Sequence, residues 1–194
     1  MIDSMMISFY ETVLRCDSDD IDARIKLGWL YENERHDHDA ALMHLQAALS
    51  KEPRSPEAGS WLATVHYHHA EFALAKAALE QVLRFHPNHV PSLSLLASVH
   101  EDRNEPERAI ELLLRAIELA PSWVSLHASA DSAYLDLHET ALAKKHAKEA
   151  ARLAEGFHSV STPETYSYFE AAITGRWVSS DKLARLKYRA AHAR

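Results

Sequence analysis

The sequence predicts an all-α solenoid built from four consecutive helix pairs, and three observations predict it. Pro53, Pro87 and Pro121 stand 34 residues apart. Ala41, Ala75, Ala109 and Ala143 keep the same interval. Only four Gly and seven Pro interrupt 194 residues, too few for an all-β chain with many tight turns. The abundant Ala, Leu, Glu and Lys are strong helix formers. A fixed period marks one supersecondary unit used repeatedly.

Taken in order, residues 1–20 form an N-terminal cap helix, with Phe9, Tyr10, Val13 and Leu14 on one face. The repeats occupy 21–155, as helix pairs at about 21–52, 56–86, 90–120 and 124–154. The second helix of each pair repeats Ala41, Leu45, Ala48 and Leu49 as Ala75, Leu79, Val82 and Leu83, then as Ala109, Leu113, Ala116 and Ile117. Those spacings mark a single helical face. The first helix repeats Leu62, Ala63, Val65 and His66 as Leu96, Ala97, Val99 and His100. The corresponding stretch of the first repeat is Leu27-Gly28-Trp29-Leu30-Tyr31, and alignment there requires one extra residue near Arg35–Asp37, in the turn between helices. Residues 156–194 depart from the period as a non-consensus helical pair. Thr162-Pro163-Glu164 starts one helix that ends near Gly175, and Ser179-Ser180-Asp181 starts another that runs to about His192.

These residues carry a family resemblance. Each unit has a small residue at its eighth position, Tyr or a substitute at the eleventh, Ala at the twentieth and Pro near the thirty-second. That pattern resembles the tetratricopeptide repeat, most closely from Asn104 to Pro121, over about residues 21–155. The fourth unit departs from it with Glu155 in place of proline, and the family's opening Trp is replaced by Arg24, Gly59, Leu93 and His127. The resemblance implies a right-handed α–α superhelical solenoid with capping helices at both ends. Each pair buries its apolar face only against its neighbours, so about three units or more are needed.

Composition bounds the function. Net charge is −7, and residues 1–175 hold 15 basic against 27 acidic side chains, while residues 176–194 hold six against one. An acidic body opposes nucleic-acid binding, which depends on neutralising phosphates. Cys16 is the only cysteine, so no internal disulfide forms. The start lacks a basic n-region, and no apolar run reaches membrane-spanning length. A cytoplasmic protein without membrane contact is expected, with removal of a leader segment left open.

Fourteen histidines raise the question of metal. The candidates are His36 and His38, His66, His68 and His69, His86 and His89, and His100. A zinc site needs three or four converging ligands, and no His-Glu-x-x-His or paired-cysteine motif brings them together. His66 and His100 replace the family's Tyr and are expected to pack and hydrogen-bond. No metal, cofactor or catalytic residue is predicted. Gly-rich phosphate loops are absent, and Glu101 and Asp102 are adjacent helix positions pointing different ways.

The opposite side of each first helix is the better lead. In the resembled family it lines the concave surface that binds peptides. Its residues are Ile25, Trp29, Glu32 and Asn33 in repeat one, and Ser60, Thr64, Tyr67 and His68 in repeat two. Repeat three offers Ser94, Ser98, Glu101 and Asp102, and repeat four Ala128, Ser132 and Asp136. Aromatic anchors beside acids suit a basic or apolar-basic protein segment. The carboxylate clamp of some co-chaperones is not expected. Its positions hold Ile25, Trp29, Trp61, Pro91 and Leu95, none of which makes charge-assisted bonds to a carboxylate. The predicted function is a non-catalytic interaction scaffold or assembly adaptor. The alternatives are an accessory part of an enzyme complex and histidine-based metal handling. The basic C-terminal helix, with Leu183, Leu186 and Ala190 on one face, either closes the fourth repeat or docks on the acidic body of its own or a second chain, in the latter case as a homodimer arm.

Overall fold

The computed structural model describes residues 2–157, with 184–185, 187–188 and 190–191 in helical conformation. The expected helix from Thr162 to Gly175 lies outside the described residues, as does most of the one over 181–192. Among the described residues every element is helical. A cap helix α1 (Ile2–Cys16) precedes four pairs: α2 (Ile21–Leu30) with α3 (His38–Lys51), α4 (Pro56–His68) with α5 (Phe72–Phe85), α6 (Val90–Asp102) with α7 (Pro106–Leu119), and α8 (Val124–Asp136) with α9 (Thr140–Phe157). By contacts the chain divides into two compact blocks, Met1–Ser92 and Leu93–Arg194.

Local chemistry sets three of the helix starts. Asp20, Asp37 and Ser55 accept hydrogen bonds from the backbone N–H groups of Ala23, Ala40 and Ala58. Each satisfies a donor that the first helical turn leaves without a partner. The helix-to-helix turns repeat as well. His36, Ala70, Asn104 and His138 all take φ between 52° and 60°, at intervals of 34 residues. In repeats two to four the chain closes by bonds from Glu71 N–H to the His66 carbonyl, Glu105 to His100, and Glu139 to Tyr134. Each spans five residues. In repeat one the corresponding bond runs from Asp37 N–H to the Tyr31 carbonyl and spans six. The extra residue expected near Arg35–Asp37 is thus taken up as a π turn over Tyr31–Arg35. π-helical turns are rare and concentrate at functional sites.

Within the N-terminal block, Leu27 and Leu30 of α2 pack on Ile7, Tyr10 and Leu14 of α1. The buried stripe of α1 is therefore Ile7, Tyr10 and Leu14. Phe9, expected on that face, is 59% exposed and meets Tyr10 in a T-shaped pair, because it sits about 200° around the helix from Ile7. Ala41 and Leu45 of α3 join Val65 of α4, flanked by Trp61 and Leu62. The small residues at the recurring alanine position let the helices approach closely: Ala41, Ala75, Ala109 and Ala143 are all buried. Gly28 and Gly59 carry this further. A Cβ at Gly28 would lie 2.5 Å from Leu45 Cγ, and one at Gly59 would collide with a Val82 methyl. In the C-terminal block α8 packs on α7 and α9, with Val124, Ala128, Ala147, Ala150 and Ala154 at the centre of the α8–α9 contact.

Candidate functional site

The expected groove residues fall in both blocks. In the N-terminal block Trp29 of α2 and Trp61 of α4 are half-buried and meet edge to face, with ring centroids 6.3 Å apart. Tyr67 is also half-buried and packs on Phe72 at 5.9 Å. Asn33 donates its amide to the Trp29 carbonyl at 3.0 Å, and Thr64 donates its hydroxyl to the Ser60 carbonyl at 2.9 Å. Ile25, by contrast, is 5% exposed, and Ser60, also buried, returns its hydroxyl to the Glu57 carbonyl. These two positions of the first helices are thus packed inward and do not present side chains. In the C-terminal block Ser98 and Glu101 are half-buried, and Asp102 and Asp136 are exposed.

Glu32 also lies elsewhere than on an open acidic surface. It is 3% exposed, inside the π turn. One carboxylate oxygen is 2.6 Å from His38 Nδ1 and the other 2.7 Å from His68 Nδ1. An ionised carboxylate only accepts, so each imidazole donates from Nδ1. His69, which ends α4, meets His38 edge-on with ring centroids 3.2 Å apart. Glu32, His38 and His69 each offer one ligand atom, all within 4.8 Å of one another. Beside them opens a polar pocket of about 430 Å³ lined by His36, Asp37, His38, Asp39, Leu42, Val65, His69 and Glu71. Spacing alone hid this cluster. The sequence distance from Glu32 to His68 is 36 residues, and only the stacking of repeats one and two brings them together.

Five other histidines among the described residues pack or hydrogen-bond within the repeats. His66 and His100 bond Glu71 and Glu105 at 2.7 Å and 2.8 Å, where the resembled family has Tyr. His100, together with Arg103 and Arg108, holds the Glu105 carboxyl below its ordinary range. His44 stacks on Tyr31 and His146 on Tyr134, in each case with centroids 5.5 Å apart. His146 Nδ1 lies 3.1 Å from His127 Nδ1, and His127 Nε2 lies 3.0 Å from the Pro121 carbonyl. That carbonyl can only accept. His127 therefore carries its proton on Nε2, and His146 donates to His127 Nδ1. Burial, then the nearby His127, push the His146 pKa down to about 4. None of these groups forms a nucleophile–base arrangement. Among the described residues no helix is long and apolar enough to cross a membrane.

Residues 32–88 match one tetratricopeptide-repeat family model and residues 92–122 another. No curated protein sequence matches the chain. Among solved structures, the chain is similar to a crystal structure of MamA at 23% identity and a TM-score of 0.66, covering 79% of this chain and 90% of that one. It is similar to MamA from Desulfovibrio magneticus RS-1 at 19% identity and a TM-score of 0.64, covering 77% and 84%. At such identities the likeness carries the fold.

Proposed function

We propose that this chain, a tetratricopeptide-repeat protein, is a non-catalytic scaffold that holds a basic or apolar-basic segment of another protein. The observation that carries this reading is the half-buried aromatic group of Trp29, Trp61 and Tyr67 on the first helices of repeats one and two. Trp29 and Trp61 each pack one side on a repeat core and keep part of their area exposed. Large flat rings that keep part of their area in water are what a binding surface uses for anchors, because they bury much area at little entropic cost. The net charge of −7 gives the basic preference, acting through encounter rate more than through affinity. Glu32 supplies none of this preference, since its oxygens are engaged by His38 and His68.

The reading is tested with fluorescent peptides that interleave Lys or Arg with Leu or Phe, against acidic peptides of the same apolar content. Basic peptides should bind in preference, and salt should slow their association. Trp29→Ala should weaken binding by about 2 kcal/mol, roughly thirtyfold, as an aromatic anchor does. Equal affinity for acidic and basic peptides, or an unchanged affinity in Trp29→Ala, would place the interaction surface elsewhere.

A further inference from the structure

We propose that the π turn of repeat one builds a binding site for a divalent late first-row transition metal ion of the zinc class, with Glu32, His38 and His69 as ligands. The inference is independent of the peptide-binding reading. Three observations converge on it. The first is the donor set. Imidazole nitrogens with one carboxylate suit Zn²⁺ and its neighbours, whereas Mg²⁺ and Ca²⁺ prefer all-oxygen shells. The second is convergence: one ligand atom from each of the three residues lies within 4.8 Å of the others. Ligands about 2.0–2.1 Å from a tetrahedral ion stand about 3.4 Å apart, so small side-chain rotations close the site. The third is support from behind. Glu32 is 3% exposed, and its other oxygen accepts from His68 Nδ1 at 2.7 Å. Such an outer hydrogen bond fixes the orientation of a ligating carboxylate.

Among the described residues the cluster belongs to the first repeat, where the backbone differs. In repeats two and three the histidine at the end of the first helix bonds the acid that opens the next turn, His66 with Glu71 and His100 with Glu105. In repeat one the inserted residue lengthens that turn to a six-residue closure. Glu32 thereby faces inward, between the start of α3 and the end of α4. His38 begins α3 and His69 caps α4, so an ion here would tie three helix ends across two repeats. His38 donates its Nδ1 proton to Glu32 Oε2 at 2.6 Å. The metal takes that proton's place on Nδ1, and the proton passes through solvent to Nε2, so the ring stays a neutral ligand. Three protein ligands leave one tetrahedral position, which the pocket beside His38 and His69 opens to water.

The test uses the full chain with any affinity tag removed and after treatment with a chelator. Calorimetric titration with zinc chloride should show one ion bound per chain. His69→Ala and Glu32→Gln should each weaken binding at least tenfold, on the scale at which supporting residues of metal sites act. His138→Ala, an exposed histidine of repeat four, should leave binding unchanged. Substitution with Co²⁺ should give the strong visible absorption of a four-coordinate site, and His69→Ala should abolish it. Zinc should also raise the melting temperature of the wild type but not of His69→Ala. The exposed His69 keeps the test decisive even if the buried Glu32→Gln variant folds poorly. Absence of zinc uptake overturns the proposal. So does uptake of equal strength in wild type and His69→Ala, which would assign the ion to other histidines.

Discussion

Acid should destabilise the protein through one buried histidine, and exchanging His146 for Gln should remove that part of the response. His146 is 7% exposed, lies between His127 and Tyr134, and has a pKa pushed down to about 4 by burial and by His127. In the unfolded chain the same imidazole titrates near its ordinary 6.5. A depressed pKa means that the fold favours the neutral ring. The associated stability is therefore complete above about pH 6.5 and is lost as the pH falls towards 4. Each tenfold separation of the two protonation equilibria is worth about 1.36 kcal/mol. From pH 7, the loss works out to about 1 kcal/mol by pH 5.5 and about 3 kcal/mol by pH 4. Gln keeps an amide N–H to donate to His127 Nδ1 but cannot ionise. His146→Gln should be less stable than wild type at neutral pH, because it loses the stack on Tyr134, and should gain relative to wild type as the solution is acidified. Urea unfolding at several pH values measures this, since a 1 kcal/mol change moves the midpoint by about 0.3–1 M. Proton NMR of the His146 ring should give a midpoint well below 6.5. A His146 midpoint near 6.5, or parallel stability profiles for the two proteins, would refute the reasoning.

Other perturbations follow from the packing and from the charge pattern. Gly28→Ala would gain about 1 kcal/mol in helix propensity, but its Cβ would press on Leu45 Cγ, a branch point that cannot swing aside in a fully buried side chain. Overpacking of about 1–3 kcal/mol should outweigh that gain, and a more stable variant in urea melts would contradict the close approach of α2 and α3. Ala109→Leu should cost about 1–3 kcal/mol for the same reason in repeat three, where Ala109 has no exposed surface, as thermal unfolding would read. Removing residues 176–194, which carry six basic side chains against one acidic, should dissociate any dimer held by that arm, and high salt should do the same to the intact chain. A mass by light scattering that does not change on truncation would exclude the arm.

The period of 34 residues was legible in the sequence because each repeat buries the same face of the same two helices. Burial of that kind writes itself into local spacing: Ala41, Leu45 and Ala48, and their counterparts through Ala143 and Ala147, are all buried. The starts of the first helices, near 21, 56, 90 and 124, followed from the same period. The caps Asp20, Asp37 and Ser55 were found only in the structure. Even the extra residue of repeat one could be counted. Its conformation could not, because an inserted residue can lengthen a loop or widen a helix, and the choice depends on what packs around it. The tertiary structure decided on a π turn, and with it the inward position of Glu32 against His38 and His68. The burial of Ile25 and Ser60 and the exposure of Phe9 were settled at the same level, by which neighbour each helix turn meets. Periodicity reports the angle of a side chain about its own helix. The meeting of ring nitrogens and carboxylate oxygens from residues 36 positions apart depends on how two repeats stack, and no spacing within one helix contains that information.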